Sequence, residues 1–261
     1  MKIKNSFCGF IKYLPLLKEL VVRDIKVRYR RSVLGLLWTV LNPLMMMTVM
    51  TIIFATLFKS SIENFALYYL SGYILYTFLN ESTTLSLFSI VNNNALMKKV
   101  YIPKYLFPMS KVASSLVNLG FSFIAMLIVM LVTRARFYWT ILLTPVLVVY
   151  LMLFCLGLGM ILATLDVFFR DIGHLYTIVT LIWMYMTPLF YPSELLVDNG
   201  LELILKLNPL THYVRYMRAL VLEGRIPNLM QNLYCILPSV VMLIIGMAVF
   251  YKKQDKFILY I

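Results

Sequence analysis

Side chains that enzymes use for chemistry are sparse in this 261-residue sequence. The two histidines, His174 and His212, lie far apart and belong to no recognisable set of metal ligands. The three cysteines are equally scattered, which gives neither a zinc pattern nor a disulfide framework. No glycine-rich phosphate-binding motif occurs, and no pair of carboxylates is spaced for acid–base work. We therefore expect no catalytic, metal or nucleotide site in this chain.

Glu81 is the one ionisable residue that stands inside a long apolar segment. Such a position costs a few kcal/mol on insertion scales and marks a candidate functional residue. Asn80 and the run 82–84 surround it with further polar side chains. Two interpretations remain open: Glu81 makes a structural hydrogen bond to another helix, or it lines a hydrated path.

The composition determines what must hold these residues in place. Hydrophobic residues make up 62% of the chain and charged residues 13%, with a mean hydropathy of +0.86. An ordinary soluble domain is roughly 45–50% apolar and about 25% charged. The excess of apolar surface therefore predicts an all-α integral membrane protein.

Six segments approach the length of about 20 apolar residues that a transmembrane helix needs. They are residues 34–58, 65–90, 112–133, 137–165, 175–193 and 229–251, preceded by an arm, 1–33, and followed by a tail, 252–261. The arm has no continuous apolar run of the signal-peptide type, so we expect no signal peptide.

The distribution of charge orients these spans. The formal net charge is +13, and a net +12 lies in the arm, the loops 91–111 and 166–174, and the tail. The loops on the other side carry a net +2. Because Lys and Arg accumulate on the cytoplasmic side, both termini are predicted to be cytoplasmic. Orientation explains the charge, and nucleic acid is not needed as a partner.

The arm has the pattern of an amphipathic helix at the membrane surface. Its charged residues and its leucine, valine and isoleucine residues repeat at helical spacing on separate faces: Glu19, Arg23, Lys26 and Arg30 against Leu14, Leu17, Val21 and Ile25. The pattern alone fits a lipid anchor or a docking surface for a cytoplasmic protein equally well.

The segment 194–228 is too charged to span the membrane but predicts an interfacial or partly re-entrant helical hairpin on the outer face, 194–207 and 209–223. Asn208 and Pro209 have the chemistry of a helix start, and Gly224 that of a helix end. One face of the second helix is apolar, whereas His212, Arg215 and Arg218 are placed by spacing on another.

Four segments of the predicted six-span arrangement are similar to segments of a known protein family. They are 20–43 (LVVRDIKVRYRRSVLGLLWTVLNP), 166–175 (DVFFRDIGHL), 187–192 (TPLFYP) and 207–224 (LNPLTHYVRYMRALVLEG). In this order they resemble ABC-2 type transporter permeases, specifically the polysaccharide exporters that move O-antigen, capsule or teichoic-acid chains.

The resemblance implies a homodimer that works with two copies of a separate ATP-binding cassette subunit, which would carry ATP and Mg. By resemblance the arm becomes an interface helix and the loop 166–174 a short coupling helix. The implied ATPase contacts are Arg23, Asp24, Arg28, Tyr29, Arg30, Phe168, Phe169, Arg170 and Asp171. The loop 91–111 fits either an ATPase contact or simple anchoring.

The resemblance also implies a path for substrate between two protomers. Aromatic and charged residues are its candidates: Trp38, Tyr73, Tyr76, Glu81, Trp183, Tyr185, Arg215 and Arg218. Most of the aromatic residues have a second explanation, since Tyr and Trp are typical of membrane interfaces.

The sequence thus predicts a permease in a bacterial cell membrane, which contacts membrane lipid and exports a lipid-linked polysaccharide or polyol-phosphate polymer. An ABC-2 permease for a small amphipathic drug or lipid is the nearest alternative. A membrane scaffold or enzyme that acts without ATP is the second.

Overall fold

The computed structural model describes residues 2–30, 34–57, 62, 64–100 and 102–260, with side chains described outside 2–12 and 55–57. Within these residues the secondary structure is helical and contains no strand. The end of the predicted arm, 31–33, and Phe58 of the first predicted span lie outside the described residues.

Twelve α-helices follow one another in the described residues. They are α1 (Lys2–Tyr29), α2 (Leu37–Leu57), α3 (Phe65–Leu87), α4 (Asn94–Lys99), α5 (Leu106–Val132), α6 (Thr144–Phe168), α7 (Ile172–Tyr185), α8 (Glu194–Asp198), α9 (Glu202–Leu207), α10 (Pro209–Val221), α11 (Leu229–Lys253) and α12 (Phe257–Tyr260). Short 3-10 turns at Val91–Asn93, Trp139–Leu143 and Gln254–Lys256 precede α4, α6 and α12.

Four helical stretches among the described residues have the length and apolar composition to cross a membrane. They are Leu37–Phe54, Leu106–Val132, Trp139–Phe168 and Leu229–Tyr260. Helix α7 is apolar but has 14 residues, so it is only about 21 Å long against a hydrocarbon core of about 30 Å. Helix α3 has 23 residues, but its tyrosines and the polar run 80–84 make it much less apolar.

Helix α3 occupies the centre of the bundle. It packs against α2, α5, α6, α7 and α10, and most of its side chains are buried, including Tyr69, Tyr73 and Tyr76. Because protein surrounds it on most sides, its polar residues contact other helices instead of lipid. Its composition is therefore that of an internal helix.

Helices α6 and α11 form the closest helix pair. A Cβ atom on Gly157 of α6 would lie 2.3 Å from the carbonyl oxygen of Met242 in α11. A Cβ atom on Gly246 would lie 2.2 Å from the carbonyl oxygen of Gly157. Backbone contact of this kind is typical of small residues at membrane helix crossings.

The bundle has two distinct ends. At the first, which we call the arm end, Leu20 of α1 joins a buried cluster with Ile90, Phe107, Val167 and Phe257. At the second, the hairpin end, α3 begins and α5 ends side by side, and Asn64 Nδ2 donates to Thr133 Oγ1 at 3.0 Å. Helix α10 packs against α3 and α11 near this end.

The buried face of α1 is rotated from the predicted apolar stripe. Leu14, which the spacing placed on that stripe, is 51% exposed, whereas Leu20 is 4% exposed. Tyr13, Leu16 and Leu17 pack around Leu20, and α1 contacts mainly the start of α5. The predicted polar face is confirmed for Glu19, Lys26 and Arg30, which are exposed.

The hairpin departs from the prediction in its first half. This half is two short helices, α8 and α9, separated at Gly200, whose φ of +72° ends the helical path. Its second half, α10, is one helix, as predicted, and is mostly buried in the bundle. The predicted helix start is confirmed, because Asn208 Oδ1 accepts the backbone N–H of Leu210 at 3.0 Å and Pro209 is the first helical residue.

The predicted coupling helix within 166–174 is wrong as a separate element. Helix α6 continues to Phe168 and α7 begins at Ile172, so only the link 169–171 remains between them. Residues 166–168 follow the helical path of α6 because they complete its last turn.

Candidate functional site

A network of polar side chains joins the arm helix α1 to the bundle, and it begins where α1 packs against α5. Asp24 is largely buried and accepts from Lys111 of α5, with Nζ to Oδ2 at 2.8 Å, and from its neighbour Arg23 at 3.0 Å. Arg23 Nη2 also donates to Asn93 Oδ1 at 3.0 Å. These bonds join α1 to α5 and to the turn before α4.

The second part of the network reaches the central helix. Glu81 of α3 forms an ion pair with Arg28 of α1 and accepts from Asn118 Nδ2 of α5 at 2.6 Å. The hydroxyl of Tyr29 donates to Asn118 Oδ1 at 3.0 Å. Glu81 is therefore paired with a charge and an amide, and three helices meet at its carboxylate.

A cavity of about 210 Å³ opens beside this network, between α1, α2, α3 and α5. Its lining is mostly polar or aromatic and consists of Arg28, Tyr29, Trp38, Thr39, Asn42, Pro43, Tyr73, Thr77, Glu81, Asn118 and Ser122. Three of the predicted path residues, Trp38, Tyr73 and Glu81, come together here.

The charge state of the cavity follows from the pair at its rim. Burial lowers the pKa of Arg28, but the charge and hydrogen-bond interactions with Glu81 and Tyr29 together raise it by more, and the net shift of the pKa is upward. Breaking such a pair by removing one partner leaves the other charge poorly solvated. The pair is thus a strong positional restraint between α1 and α3.

Of the five arm positions proposed as ATPase contacts, Asp24 and Tyr29 direct their polar atoms toward the bundle, as do Arg23 and Arg28 in part. Arg30 is exposed, as is Lys26 one turn earlier. The outward cationic face of α1 is therefore formed by Lys18, Lys26 and Arg30.

The link between α6 and α7 presents three exposed side chains, Phe169, Arg170 and Asp171. Phe169 is 62% exposed. Phe168 instead packs on the tail, with its ring 4.8 Å from that of Tyr260 and 6.2 Å from that of Phe257. It supports the link from beneath.

The remaining aromatic candidates lie apart from the cavity. Tyr76 is buried and donates to the carbonyl of Thr180 at 3.1 Å. Trp183 Nε1 donates to Asn208 Oδ1 at 2.7 Å, which ties α7 to the start of α10. Tyr185 is exposed at the end of α7.

The two hairpin arginines have different environments. Arg215 is exposed. Arg218 is buried, contrary to the predicted shared polar face, and its guanidinium lies 3.4 Å over the Tyr68 ring. Its Nη2 donates to the carbonyls of Pro188 and Leu189 at 2.8 and 3.2 Å. The non-helical segment after α7 leaves those carbonyls free, which is why a buried arginine fits there.

Three partners in the network were missed at the level of sequence: Asn93, Lys111 and Asn118. The signal for Asn118 was its position as the one amide within the apolar run 112–133. Polar side chains of this kind commonly hydrogen-bond across membrane helices.

Comparison with known proteins defines the class of this protein. The family model described as ABC-2 type transporter matches residues 15–222, which include α3, α5, α6, α7, α10 and both sides of the network. The chain therefore belongs to the ABC-2 type transporter family.

Individual relatives are similar over nearly the whole chain. The O-antigen export system permease protein RfbA of Myxococcus xanthus is 31% identical over 94% of this chain and 95% of the relative. An RfbA of Klebsiella pneumoniae is 27% identical over 98% of both chains. The capsule polysaccharide export inner-membrane protein CtrC of Neisseria meningitidis is 23% identical over 88% of both chains.

Proposed function

We propose that this chain is the membrane permease subunit of an ATP-driven exporter for a lipid-linked polysaccharide. The observation that carries the proposal is the full-length similarity to permeases named for O-antigen export, together with membership of the ABC-2 family. A polyol-phosphate polymer would present the same transport problem, because hydroxyl and phosphate groups lose hydration in hydrocarbon.

We propose six spans in a bacterial inner membrane, formed by α2, α3, α5, α6, α7 with the segment 186–193, and α11. Both termini are then cytoplasmic, and the arm end faces the cytoplasm. This orientation is supported by the cationic excess of the arm, the loop 91–111 and the tail. In this arrangement the hairpin end faces outward.

The proposed homodimer is supported by two apolar faces that the single chain leaves open. Within the described residues helix α2 packs mainly against α3 and α5, and Met45 and Val49 are exposed on it. Helix α7 exposes Ile178, Val179 and Ile182. A second copy facing these helices would enclose a path that lipid does not fill.

The proposed partner is a separate ATP-binding cassette subunit, in two copies, which binds ATP and Mg and hydrolyses ATP. This chain would then have no enzymatic role of its own. The contact is proposed at the exposed cationic face of α1 and at Phe169, Arg170 and Asp171 of the link. An exposed aromatic side chain flanked by charges is a typical anchor for a partner's groove.

The polar network supplies the proposed route for force. When the ATPase subunits close on ATP, they would displace α1 and the link. Because Arg28 and Asp24 attach α1 to α3 and α5, a shift of α1 is transmitted to the helices that line the cavity. Trp38 on α2 and Tyr73 on α3 would move apart or together as a result.

Deletion of the chain tests the function. We expect surface polysaccharide to disappear while the lipid-linked precursor accumulates in the cytoplasm. Unchanged surface polymer would exclude the proposal and favour a small amphipathic substrate. An ATPase subunit should also co-purify with the intact chain, and its absence would favour an ATP-independent scaffold.

The docking site has its own test. Substitution Phe169→Ala should weaken co-purification of the ATPase subunit and reduce the ATPase activity that remains coupled to export. Phe137→Ala is a matched control, since Phe137 is 54% exposed but lies between α5 and α6 at the hairpin end. Equal effects of the two substitutions would contradict the assignment of the link.

A further inference from the structure

The hairpin end contains a second, larger cavity that the proposed cycle does not use. It lies where α3 begins, α5 ends and α10 ends, and its volume is about 850 Å³. Cavities that bind small molecules are typically about 300–1,000 Å³. The residues that line it include Asn64, Thr133, Arg134, Arg136 and Tyr138.

Two arginines, Arg134 and Arg136, line this cavity. Within the described residues neither Arg134 nor Arg136 forms an ion pair, whereas Arg225 at the same end pairs with Glu223 at 3.0 Å. Both guanidinium groups are on exposed side chains of one tight connection. In the proposed orientation this connection is a short outer loop, and such loops usually contain few Lys and Arg residues.

The backbone holds Arg134 in a position where glycine is usual. Helix α5 ends in a Schellman arrangement, with the N–H of Ala135 bonded to the carbonyl of Met130 at 3.0 Å and Arg134 at φ +51°. Asn64, the other non-glycine residue at positive φ in the described chain, lines the same cavity and is bonded to Thr133. Two residues with positive φ, Arg134 and Asn64, thus line the same cavity.

A tyrosine forms a fixed wall. The ring of Tyr138 lies against Gly224, where a Cβ atom would be 2.3 Å from a ring carbon. On either side Phe137 and Trp139 are exposed, as is typical of residues at the membrane interface. The cavity is therefore at the depth of lipid headgroups.

We propose that this cavity binds a phosphate ester at the outer surface of the membrane, through Arg134 and Arg136. A guanidinium offers a fixed fork of donors that matches phosphate oxygens, and the second N–H of the Asn64 amide adds a neutral donor. Two sources supply this chemistry: the phosphate that links the exported glycan to its lipid, or a phospholipid headgroup. The orientation and the first source rest on the proposed function; the anion chemistry does not.

The test is binding of labelled inorganic pyrophosphate to the purified full chain in phosphatidylcholine nanodiscs. Arg134→Gly with Arg136→Gln removes both charges, and glycine suits the backbone at 134. We expect binding at least tenfold weaker than in the wild type, as for the loss of charge-assisted hydrogen bonds. Arg134→Glu with Arg136→Glu should abolish it.

The matched control is Lys98→Gln with Lys99→Gln, which removes two exposed charges at the arm end. It should leave pyrophosphate affinity within twofold of the wild type. Unchanged binding in the Arg134/Arg136 variant, or equal weakening in the lysine control, would overturn the proposal. Thermal unfolding of each variant shows whether it is folded.

Replacing part of the phosphatidylcholine by phosphatidylglycerol distinguishes the sources. Competition with pyrophosphate would identify a lipid headgroup, and its absence would identify the glycan carrier. Because neither measurement needs ATPase or transport, loss of surface polymer on deletion with no pyrophosphate binding would refute this site alone.

Discussion

Substitution Glu81→Gln separates the arm from the central helix. It removes the charge that holds Arg28 and weakens the acceptor for Asn118. The side chains of Arg28 and Glu81 are 28% and 31% exposed, so the pair is intermediate between a fully exposed and a fully buried ion pair. Exposed pairs contribute about 0.2–1 kcal/mol, and removing one partner of a buried pair costs about 3–5 kcal/mol. We expect a loss of about 2 kcal/mol.

Thermal unfolding of the purified chain in detergent measures this loss. For a chain of this size 1 kcal/mol shifts Tm by about 2–4 °C, so Glu81→Gln should lower Tm by about 4–8 °C. Glu19→Gln is the control, because Glu19 is an exposed carboxylate on the outer face of α1. Its Tm should change by about 1 °C or less.

A double-mutant cycle with Arg28→Gln isolates the pair itself. The double variant should be more stable than the sum of the two single losses predicts, with a coupling of about 1–2 kcal/mol. Additive losses, or a Tm for Glu81→Gln equal to that of the wild type, would refute the reasoning. Under the proposed function both single variants should also reduce export, since the arm no longer moves α3.

Three further substitutions test other parts of the structure. Gly157→Leu should prevent α6 and α11 from packing and yield aggregated protein on size-exclusion chromatography, whereas Gly120→Leu, with open space around its Cβ, should not. Arg218→Met should lower Tm by several degrees, because the carbonyls of Pro188 and Leu189 lose their hydrogen-bond donor. Each buried group left unpaired lowers the free energy of unfolding by about 1–3 kcal/mol. Phe257→Ala should lower the free energy of unfolding by about 3–5 kcal/mol, because Phe257 is a fully buried aromatic residue. Hydrogen exchange should increase first at the arm end.

Local chemistry allowed part of the hairpin end to be predicted from sequence. Asn208 and Pro209 define a helix start through interactions within a few residues, and Gly224 has the positive φ expected near a helix end. Such signals do not depend on the rest of the fold. They therefore carry over directly into the structure.

Contacts between distant residues could not be predicted in the same way. Arg28 and Glu81 are 53 residues apart, and nothing in their spacing indicates that they meet. Periodicity also placed Arg218 on a polar face, since helical spacing does not show that protein surrounds α10 on most sides. The rotation of α1 about Leu20 has the same origin, because packing against α5 decides which leucines are covered.

The pairing of Glu81 bears on how the chain is made. A lone carboxylate at the centre of a newly inserted helix costs about 2.5–3.5 kcal/mol on translocon scales. Arg28 precedes Glu81 and is synthesised before it, whereas Asn118 follows later. Under the proposed six-span arrangement, the arm can therefore accompany α3 from the translocon and neutralise its charge before α5 emerges. In this sense α1 acts as an intramolecular insertion partner for α3, the helix that carries the carboxylate.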